Sequence, residues 1–318
     1  MILVYPLDLI APITDSEFEK IINAAAGTEV KLTRDLSEAM ELSKEAEVIF
    51  GDIKPEFIEL GNKLDWVQSV GAGVNKIVEY IGNKPIKLVS ARGLVGSHLA
   101  EHAFALLLSI TRGVAEAVRN PGWEHREEIR IKQWEFTDRT IGVIGMGSAG
   151  QAVAKRARSF EFHKIIGVDL LNNVSKQHVD LLIDNNHLEN YLGELDVICL
   201  TLPVTSKNNG WFNYERLSKL RPGAVLINVS RGGLLVQEDV LRLLDEGHLY
   251  GAGLDVLETE PIKGINPLFS NQKLVITPHI AGGSPLRAER VVEQFCNNLG
   301  RWKTNQQLLG LYDRKLGF

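Results

Sequence analysis

Three residues far apart in the sequence carry side chains suited to proton transfer and carboxylate binding. Arg231, in NVSRGG, has a planar guanidinium that can hold a carboxylate through two parallel hydrogen bonds. His279, in ITPHIAGG, can give or accept a proton near neutral pH. Glu260, in LETEP, could accept a hydrogen bond from the second imidazole nitrogen and so favour the protonated ring. Beside a nicotinamide, these three residues would form a site for hydride transfer to a 2-oxo acid.

Taken singly, each of these residues also has a structural interpretation. An arginine before two glycines is often a solvated loop end, a glutamate before proline often begins a turn, and a histidine after proline can simply bond to backbone groups. All three, however, fall at or just beyond the carboxyl ends of predicted strands, where ligands bind in a doubly wound sheet. Clustering at that edge favours the catalytic interpretation.

Residues 140–169 predict a second kind of site. An apolar run that predicts a strand is followed by glycines at the spacing G-x-G-x-x-G. The first glycine of such a motif permits a tight turn, the second leaves room for a pyrophosphate, and the third lets the next helix pack close to the strand. The helix N-terminus adds an anion site. The motif therefore predicts dinucleotide binding by Gly145, Gly147, Ser148, Ala149 and Gly150.

Asp169 ends the next predicted strand and indicates which dinucleotide is bound. An acidic side chain here can accept hydrogen bonds from both hydroxyls of the adenosine ribose and would repel a 2′-phosphate. No lysine or arginine follows it before Lys176. The sequence therefore predicts NAD rather than NADP. The strand, helix and acid together also argue against a glycine-rich turn without a ligand.

Short apolar runs alternate with helical stretches along the chain, which predicts an α/β fold with parallel sheets. Helices are predicted over residues 15–25 and 36–46, and around Val240, Leu241 and Leu244. The strands are predicted in ILVY, EVKL, VIF, WVQSV, KLVS, DVICLTLP, AVLINVSR, GAGLDV and KLVITPH. We expect further cofactor contacts at the carboxyl ends of the later strands, from Thr201, Pro203 and Val229.

Length, charge, cysteine content and the first residues indicate the class of protein. The chain has 318 residues, which favours two domains, and its formal charge of −5 argues against nucleic-acid or anionic-membrane partners. Cys199 and Cys296 lie in apolar surroundings, so we expect buried thiols in a reducing compartment and no metal site. The start, MILVYPLDL, predicts a first strand rather than a signal peptide, which favours a cytoplasmic location.

Two further segments have open interpretations. Glu101 and His102 could be an acid/base pair, but adjacent positions on a helix point in different directions, which favours a structural role. The polar, tryptophan-bearing segment 120–134 is a candidate subunit contact.

The motifs VIGMGSAG with Asp169, LPVT, LINVSRGGLL, GAGLDVLETEP and TPHIAG resemble, in order and spacing, the D-isomer-specific 2-hydroxyacid dehydrogenases. The upstream GAGVN and AEHAFALLLSITR extend the resemblance over nearly the whole chain. The resemblance implies that Arg231, Glu260 and His279 are catalytic and that Asp255 contacts the nicotinamide carboxamide. It also implies that the Ala72 and Gly73 amides bind the substrate carboxylate.

The resemblance further implies an NAD-dependent enzyme that interconverts a 2-oxo acid and a D-2-hydroxy acid. Its architecture would be a flavodoxin-like substrate domain, residues 1–97 and 286–318, into which a Rossmann NAD-binding domain, residues 98–285, is inserted. A homodimer formed through the Rossmann domain is implied as well. The alternative function is that of an NAD-responsive, corepressor-like binding protein, since such proteins also resemble this family.

Some positions leave choices open. Asn75 stands where the family more often has aspartate, and Asn208 where it has threonine, whereas Glu260 rather than glutamine argues against a formate-dehydrogenase-like member. Arg92 is a candidate substrate-binding residue that would favour a distal polar or anionic group. Its alternative role is that of a solvated turn residue or an ion-pair partner across a dimer.

Overall fold

The computed structural model describes residues 1–170, 174–264 and 266–317. The chain divides into two compact units, Met1–Val95 with Gly283–Phe318, and Gly96–Gly282. The substrate-binding and cofactor-binding roles predicted for segments with boundaries at residues 97 and 285 stay predictions. Residues 171–173, part of the stretch used to predict NAD preference, lie outside the described residues.

The first unit is built on a five-stranded parallel sheet. Its strands are β1 (Ile2–Tyr5), β2 (Val30–Leu32), β3 (Val48–Gly51), β4 (Trp66–Ser69) and β5 (Lys87–Val89). They lie in the order β2-β1-β3-β4-β5, which is the flavodoxin-like order. Strands β1 and β3 are unbroken apolar runs because helices cover both faces of the sheet. The predicted flavodoxin-like fold is therefore confirmed.

The helices of this unit are α1 (Asp15–Ala25), α2 (Leu36–Ser43), α3 (Pro55–Leu60), α4 (Asn75–Ile81) and a C-terminal helix (Arg287–Lys303). Thr14 and Asp35 cap α1 and α2 by accepting the amides of Glu17 and Glu38. The C-terminal helix brings Phe295 onto the ring of Phe50, with 4.3 Å between ring centroids. Both termini of the chain thus contribute to one core.

The second unit is built on a seven-stranded parallel sheet. Its strands are β6 (Thr140–Ile144), β7 (Lys164–Asp169), β8 (Leu181–Asp184), β9 (Val197–Leu200), β10 (Ala224–Asn228), β11 (Leu249–Leu254) and β12 (Leu274–Ile276). The order is β12-β11-β10-β9-β6-β7-β8, the Rossmann order with one further strand at the β12 edge. The predicted Rossmann fold is confirmed.

Helices connect and cover the strands of this unit. They are α5 (Gly96–Thr111), α6 (Val114–Arg119), α7 (Arg126–Lys132), α8 (Ser148–Ser159), α9 (Tyr214–Leu217) and α10 (Gln237–Asp245). Helix α10 buries Val240, Leu243 and Leu244, whereas the predicted Leu241 is only half-buried. Cys199 lies in the core, and burial raises the pKa of its thiol to about 12, which keeps it protonated.

Several elements were not predicted from the sequence, and one predicted helix is too long. Strand β8 is a half-buried edge strand, and helices α3, α4, α6, α7 and α9 are short, so none has a clear periodic pattern. Helix α2 ends at Ser43 instead of residue 46, because i→i+3 bonds such as Glu45 N–H to the Leu42 carbonyl tighten its end into a turn. Among the described residues, no helix is long and apolar enough to cross a membrane.

Candidate active site

The glycine motif after β6 forms a tight turn that only glycine can complete. Gly145 has a φ of +97°, and a Cβ there would lie 2.7 Å from the Cβ of Leu202. A Cβ on Gly150 would overlap the carbonyl oxygen of Gly145. Gly147 differs, because its φ is −66° and a Cβ there would have no atom of the described residues within 4 Å. The first and third glycines are thus required by the fold, whereas the second leaves space for a ligand.

The turn is held by polar side chains and presents unused amides. Asp169 accepts the Met146 amide at 2.7 Å, and the Thr201 hydroxyl donates to the Gly145 carbonyl at 2.7 Å. In the part of the chain that the structure describes, the Ser148 and Ala149 amides at the start of α8 donate to no acceptor. These amides, the open space at the second glycine and the acid beside the turn fit a dinucleotide.

Substituting the motif's glycines should separate folding from cofactor binding. We expect Gly147→Ala to melt within about 2 °C of the wild type, because the new methyl group would contact no atom in the part of the chain that the structure describes. Its Kd for NADH should rise roughly tenfold or more, since a displaced pyrophosphate loses a charge-assisted hydrogen bond of about 1.5–3 kcal/mol. Thermal unfolding and NADH fluorescence titration measure both quantities.

The matched variant Gly150→Ala should instead fail to fold or melt far below the wild type, because its Cβ would overlap the Gly145 carbonyl oxygen. Wild-type NADH affinity in Gly147→Ala would mean that the pyrophosphate lies elsewhere.

Beyond β12, the structure brings His279 and Glu260 together. The imidazole Nδ1 lies 2.6 Å from Glu260 Oε2, and Glu260 Oε1 accepts the Leu257 amide at 2.7 Å. The second contact fixes the carboxylate, which in turn orients the ring. The His279 side chain is 51% exposed, and its Nε2 has no hydrogen-bond partner among the described residues. The arrangement suits a proton donor whose Nδ1 is held by a carboxylate and whose Nε2 is available to a substrate.

Arg231 lies beyond the end of β10 and is half-buried. Its Nη1 donates to the Ser230 carbonyl at 2.6 Å. Burial lowers the pKa of the guanidinium, and the charge of Glu260 acts in the opposite direction. An arginine nevertheless stays charged at neutral pH. No carboxylate in the described ranges forms an ion pair with it, so its other N–H groups remain available for a carboxylate ligand.

Gly232 allows the Arg231 loop to pack closely against the segment that carries Glu260. A Cβ on Gly232 would overlap the carbonyl of Leu257, so only glycine lets the two segments lie this close. Leu257 is also the residue whose amide Glu260 accepts. Asn228, which the sequence reasoning missed, braces the same loop by donating to the Arg231 carbonyl at 3.0 Å. The glycine after Arg231 was the available signal for this close approach.

Asp255 has a buried carboxylate that organises the turn carrying His279. Its Oδ1 accepts the Ile280 amide and its Oδ2 the Ala281 amide, each at 2.9 Å. The His279 amide donates to the Asp255 carbonyl, also at 2.9 Å. His279 itself has a φ of +54°, a left-handed conformation that costs a residue with a Cβ on the order of 1 kcal/mol. The implied contact of Asp255 with a nicotinamide stays a prediction.

The other predicted cofactor residues lie along the same sheet edge. The carbonyl of Pro203 accepts the Asn208 side-chain amide at 2.9 Å, and Asn208 Oδ1 accepts the Thr205 amide at 2.6 Å. Asn208 therefore stabilises the LPVT loop. The Val229 side chain is buried in the hydrophobic core, so a cofactor could meet only its backbone.

In the first unit, the GAGVN loop follows β4. In the described residues, the Ala72 and Gly73 amides donate to no acceptor. Arg287, which the sequence reasoning missed, donates through Nε and Nη2 to the Val70 carbonyl at 3.2 and 3.1 Å, and burial lowers the pKa of its guanidinium. Arg92 is exposed, and its amide donates to the Ser90 hydroxyl. The predicted substrate contacts of this unit stay predictions.

The adjacent residues Glu101 and His102 have separate surroundings. Glu101 accepts from Arg156 Nη2 at 2.6 Å and from the Ser97 hydroxyl at 3.1 Å, and these bonds lower the pKa of its carboxyl. This ion pair ties α5 to α8. A structural role therefore describes Glu101, as predicted.

A family model matches residues 104–281, most of the second unit. Its description is D-isomer specific 2-hydroxyacid dehydrogenase, NAD binding domain. The chain belongs to the D-isomer-specific 2-hydroxyacid dehydrogenase family. The resemblance inferred from the sequence motifs is thereby confirmed. Members of this family are oxidoreductases that act on CH–OH donors, and the second unit is an NAD(P)-binding domain.

Similar proteins include relatives named as reductases and solved structures. The chain is 32% identical over 262 residues to a glyoxylate reductase of Pyrococcus furiosus, covering 80% of this chain and 77% of that protein. The structure of a family member from Aeromonas salmonicida has a TM-score of 0.80 and 29% identity, with 98% of both chains covered. An NADPH-dependent glyoxylate/hydroxypyruvate reductase of Sinorhizobium meliloti, solved with NADP and sulfate, has a TM-score of 0.79 and 26% identity, covering 100% of this chain and 99% of that one.

Proposed function

We propose that this family member uses NADH to reduce a 2-oxo acid to the D-2-hydroxy acid. The observation that carries the proposal is the 2.6 Å contact between His279 and the fixed carboxylate of Glu260. This histidine–glutamate pair lies in the same unit as Arg231, which is half-buried and has no carboxylate partner among the described residues. The names of the relatives favour short substrates such as glyoxylate and hydroxypyruvate.

Arg231 and His279 would have separate roles in the reaction. Arg231 holds the substrate carboxylate through two N–H groups, which orients the C2 carbonyl. His279, protonated and supported by Glu260, gives its Nε2 proton to the C2 oxygen as that oxygen gains negative charge. When bound, NADH supplies the hydride that C2 receives. In the reverse direction His279 accepts the proton of the hydroxyl group.

A panel of 2-oxo acids tests the proposal. Loss of NADH absorbance should occur with at least one acid from a set that includes glyoxylate, hydroxypyruvate, pyruvate and 2-oxoisocaproate. NADH binding without turnover across the panel would instead favour the corepressor-like alternative. That outcome would overturn the proposed function.

The chain should prefer NADH to NADPH, in contrast to the Sinorhizobium reductase. A 2′-phosphate would come close to the Asp169 carboxylate, and like charges about 4 Å apart near a protein surface repel by ~4 kcal/mol. Even with partial screening, kcat/KM for NADH should exceed that for NADPH on the order of 10²-fold. Asp169→Ala should narrow the ratio, while Asp180→Ala, which also alters a carboxylate of this unit, should leave it unchanged. A wild-type preference for NADPH would contradict the proposal.

We also propose a homodimer formed through the second unit. Trp123 is 87% exposed and Ile131 80% exposed, both within the segment already predicted to contact a second subunit. Large apolar side chains in such exposed positions are typical of contact surfaces. Sedimentation velocity should give a dimer for the wild type and a monomer for Trp123→Asp with Ile131→Asp. A monomeric wild type would contradict this proposal.

A further inference from the structure

A chain of polar side chains lies behind the turn that carries His279. The Thr277 hydroxyl lies 2.6 Å from Asp255 Oδ1, and His102 Nε2 lies 2.8 Å from the Thr277 oxygen. His102 Nε2 is also 3.3 Å from Asp255 Oδ1. His102 belongs to α5, whereas Thr277 follows β12. This series of hydrogen bonds therefore connects α5, which is distant in the sequence, to the turn that carries the proposed proton donor.

The direction of these hydrogen bonds follows from the number of protons. Thr277 has one hydroxyl proton, and its neighbour Asp255 is a carboxylate that can only accept, so the hydroxyl donates to Oδ1. The Thr277 oxygen must then accept, which makes His102 Nε2 the donor. The order of donation is His102, Thr277, Asp255.

The series of hydrogen bonds ends at the Asp255 carboxylate, which holds the turn that carries His279. The Asp255 side chain is 1% exposed, so its carboxylate depends on protein donors rather than water. Two of these donors are the amides of Ile280 and Ala281, which directly follow His279. The His279 amide donates to the Thr277 carbonyl at 3.0 Å as well. The Thr277 hydroxyl is a third donor to this carboxylate, so its loss should let the carboxylate shift, and with it the turn that the two amides belong to.

We propose that His102 and Thr277 are positioning residues for His279. The proposal rests on the proposed function, in which His279 donates the proton. The two residues act through Asp255 and need not touch the substrate. Their hydrogen bonds hold the left-handed backbone of His279 in the orientation in which its ring Nδ1 contacts Glu260.

Two substitutions at Thr277 test this role, one that removes the hydroxyl and one that keeps it. Thr277→Val keeps the shape and removes the hydroxyl, and it should lower kcat by about 10- to 100-fold, as a small displacement of a reacting group does. Thr277→Ser restores the hydroxyl and should recover most of kcat. The KM for the 2-oxo acid should stay within about threefold of wild type, because the proposed carboxylate ligand, Arg231, lies outside the chain of hydrogen bonds.

Two further variants separate positioning from a general structural effect. Thr111→Val removes the hydroxyl of a buried threonine at the end of α5, which donates to the Leu107 carbonyl at 2.9 Å, and it should leave kcat unchanged. His102→Leu should reproduce the loss seen in Thr277→Val. A full wild-type kcat in Thr277→Val and His102→Leu would overturn the proposal. So would an equal loss in Thr277→Val, Thr277→Ser and Thr111→Val.

A spectroscopic measurement keeps the test independent of turnover. In protein labelled with ¹⁵N-histidine, the ring signals of His279 can be assigned from their loss in His279→Gln. These signals should shift in Thr277→Val and stay in place in Thr111→Val. Unchanged His279 signals in Thr277→Val would overturn the positioning role even if the wild type reduced no 2-oxo acid. Absence of turnover in the wild type would overturn the proposed function alone.

Discussion

Replacing His279 with alanine is expected to lower kcat for 2-oxo acid reduction by ~10²–10⁴-fold, the usual contribution of a positioned general acid. The imidazole is the group that Glu260 orients at 2.6 Å, and no other histidine among the described residues has such a contact with that carboxylate. NADH affinity should stay near the wild-type value. Steady-state kinetics and NADH fluorescence titration measure the two effects separately. A variant with wild-type kcat would exclude His279 as the acid.

Glu260→Gln provides the matched variant for this expectation. It keeps a side chain of nearly the same shape but replaces the carboxylate that contacts the ring Nδ1 with a neutral amide, which holds the ring less strongly. The value of kcat should therefore fall, but by less than in His279→Ala. A kcat equal to that of the wild type would exclude this role for Glu260.

Replacing Arg231 with lysine should lower kcat/KM for the 2-oxo acid by ~10²–10³-fold, or about 3–4 kcal/mol, within the range for breaking a buried charged pair. Lysine keeps the charge but cannot reproduce the planar pair of N–H donors. Arg231→Met should lose at least as much. Arg242→Lys, at an exposed arginine paired with Glu246 in the same unit, should have wild-type kinetics. Wild-type kinetics in Arg231→Lys would contradict its proposed role.

The dinucleotide-binding turn was predictable because its requirements are local. Glycine is needed where φ is positive, as at Gly145, or where backbone atoms approach closely, as at Gly150, and the spacing of the motif encodes both. Gly147 has neither requirement in the protein itself, which agrees with its predicted role beside a ligand. The apolar runs of β6 and β7 placed this turn at a sheet edge.

The supporting contacts of the candidate site were not predictable from sequence patterns. Thr277, Asn228 and Arg287 contact residues that lie in other loops or elsewhere along their own loops, and no periodicity reports such contacts. The bonds of Asp255 to the amides of the His279 turn also join two separate loops and were not predicted, while its contact with a nicotinamide stays a prediction. The edge strand β8 was missed because its half-buried residues lack the continuous apolar pattern of the central strands.

The configuration of the product tests the central proposal most directly. The enzyme is incubated with NADH and hydroxypyruvate, or with the most active acid of the panel that gives a chiral product, and the hydroxy acid is resolved by chiral chromatography. We expect the D-isomer, formed in equal amount to the NADH consumed. Formation of the L-isomer, or NADH oxidation without the matching hydroxy acid, would contradict it.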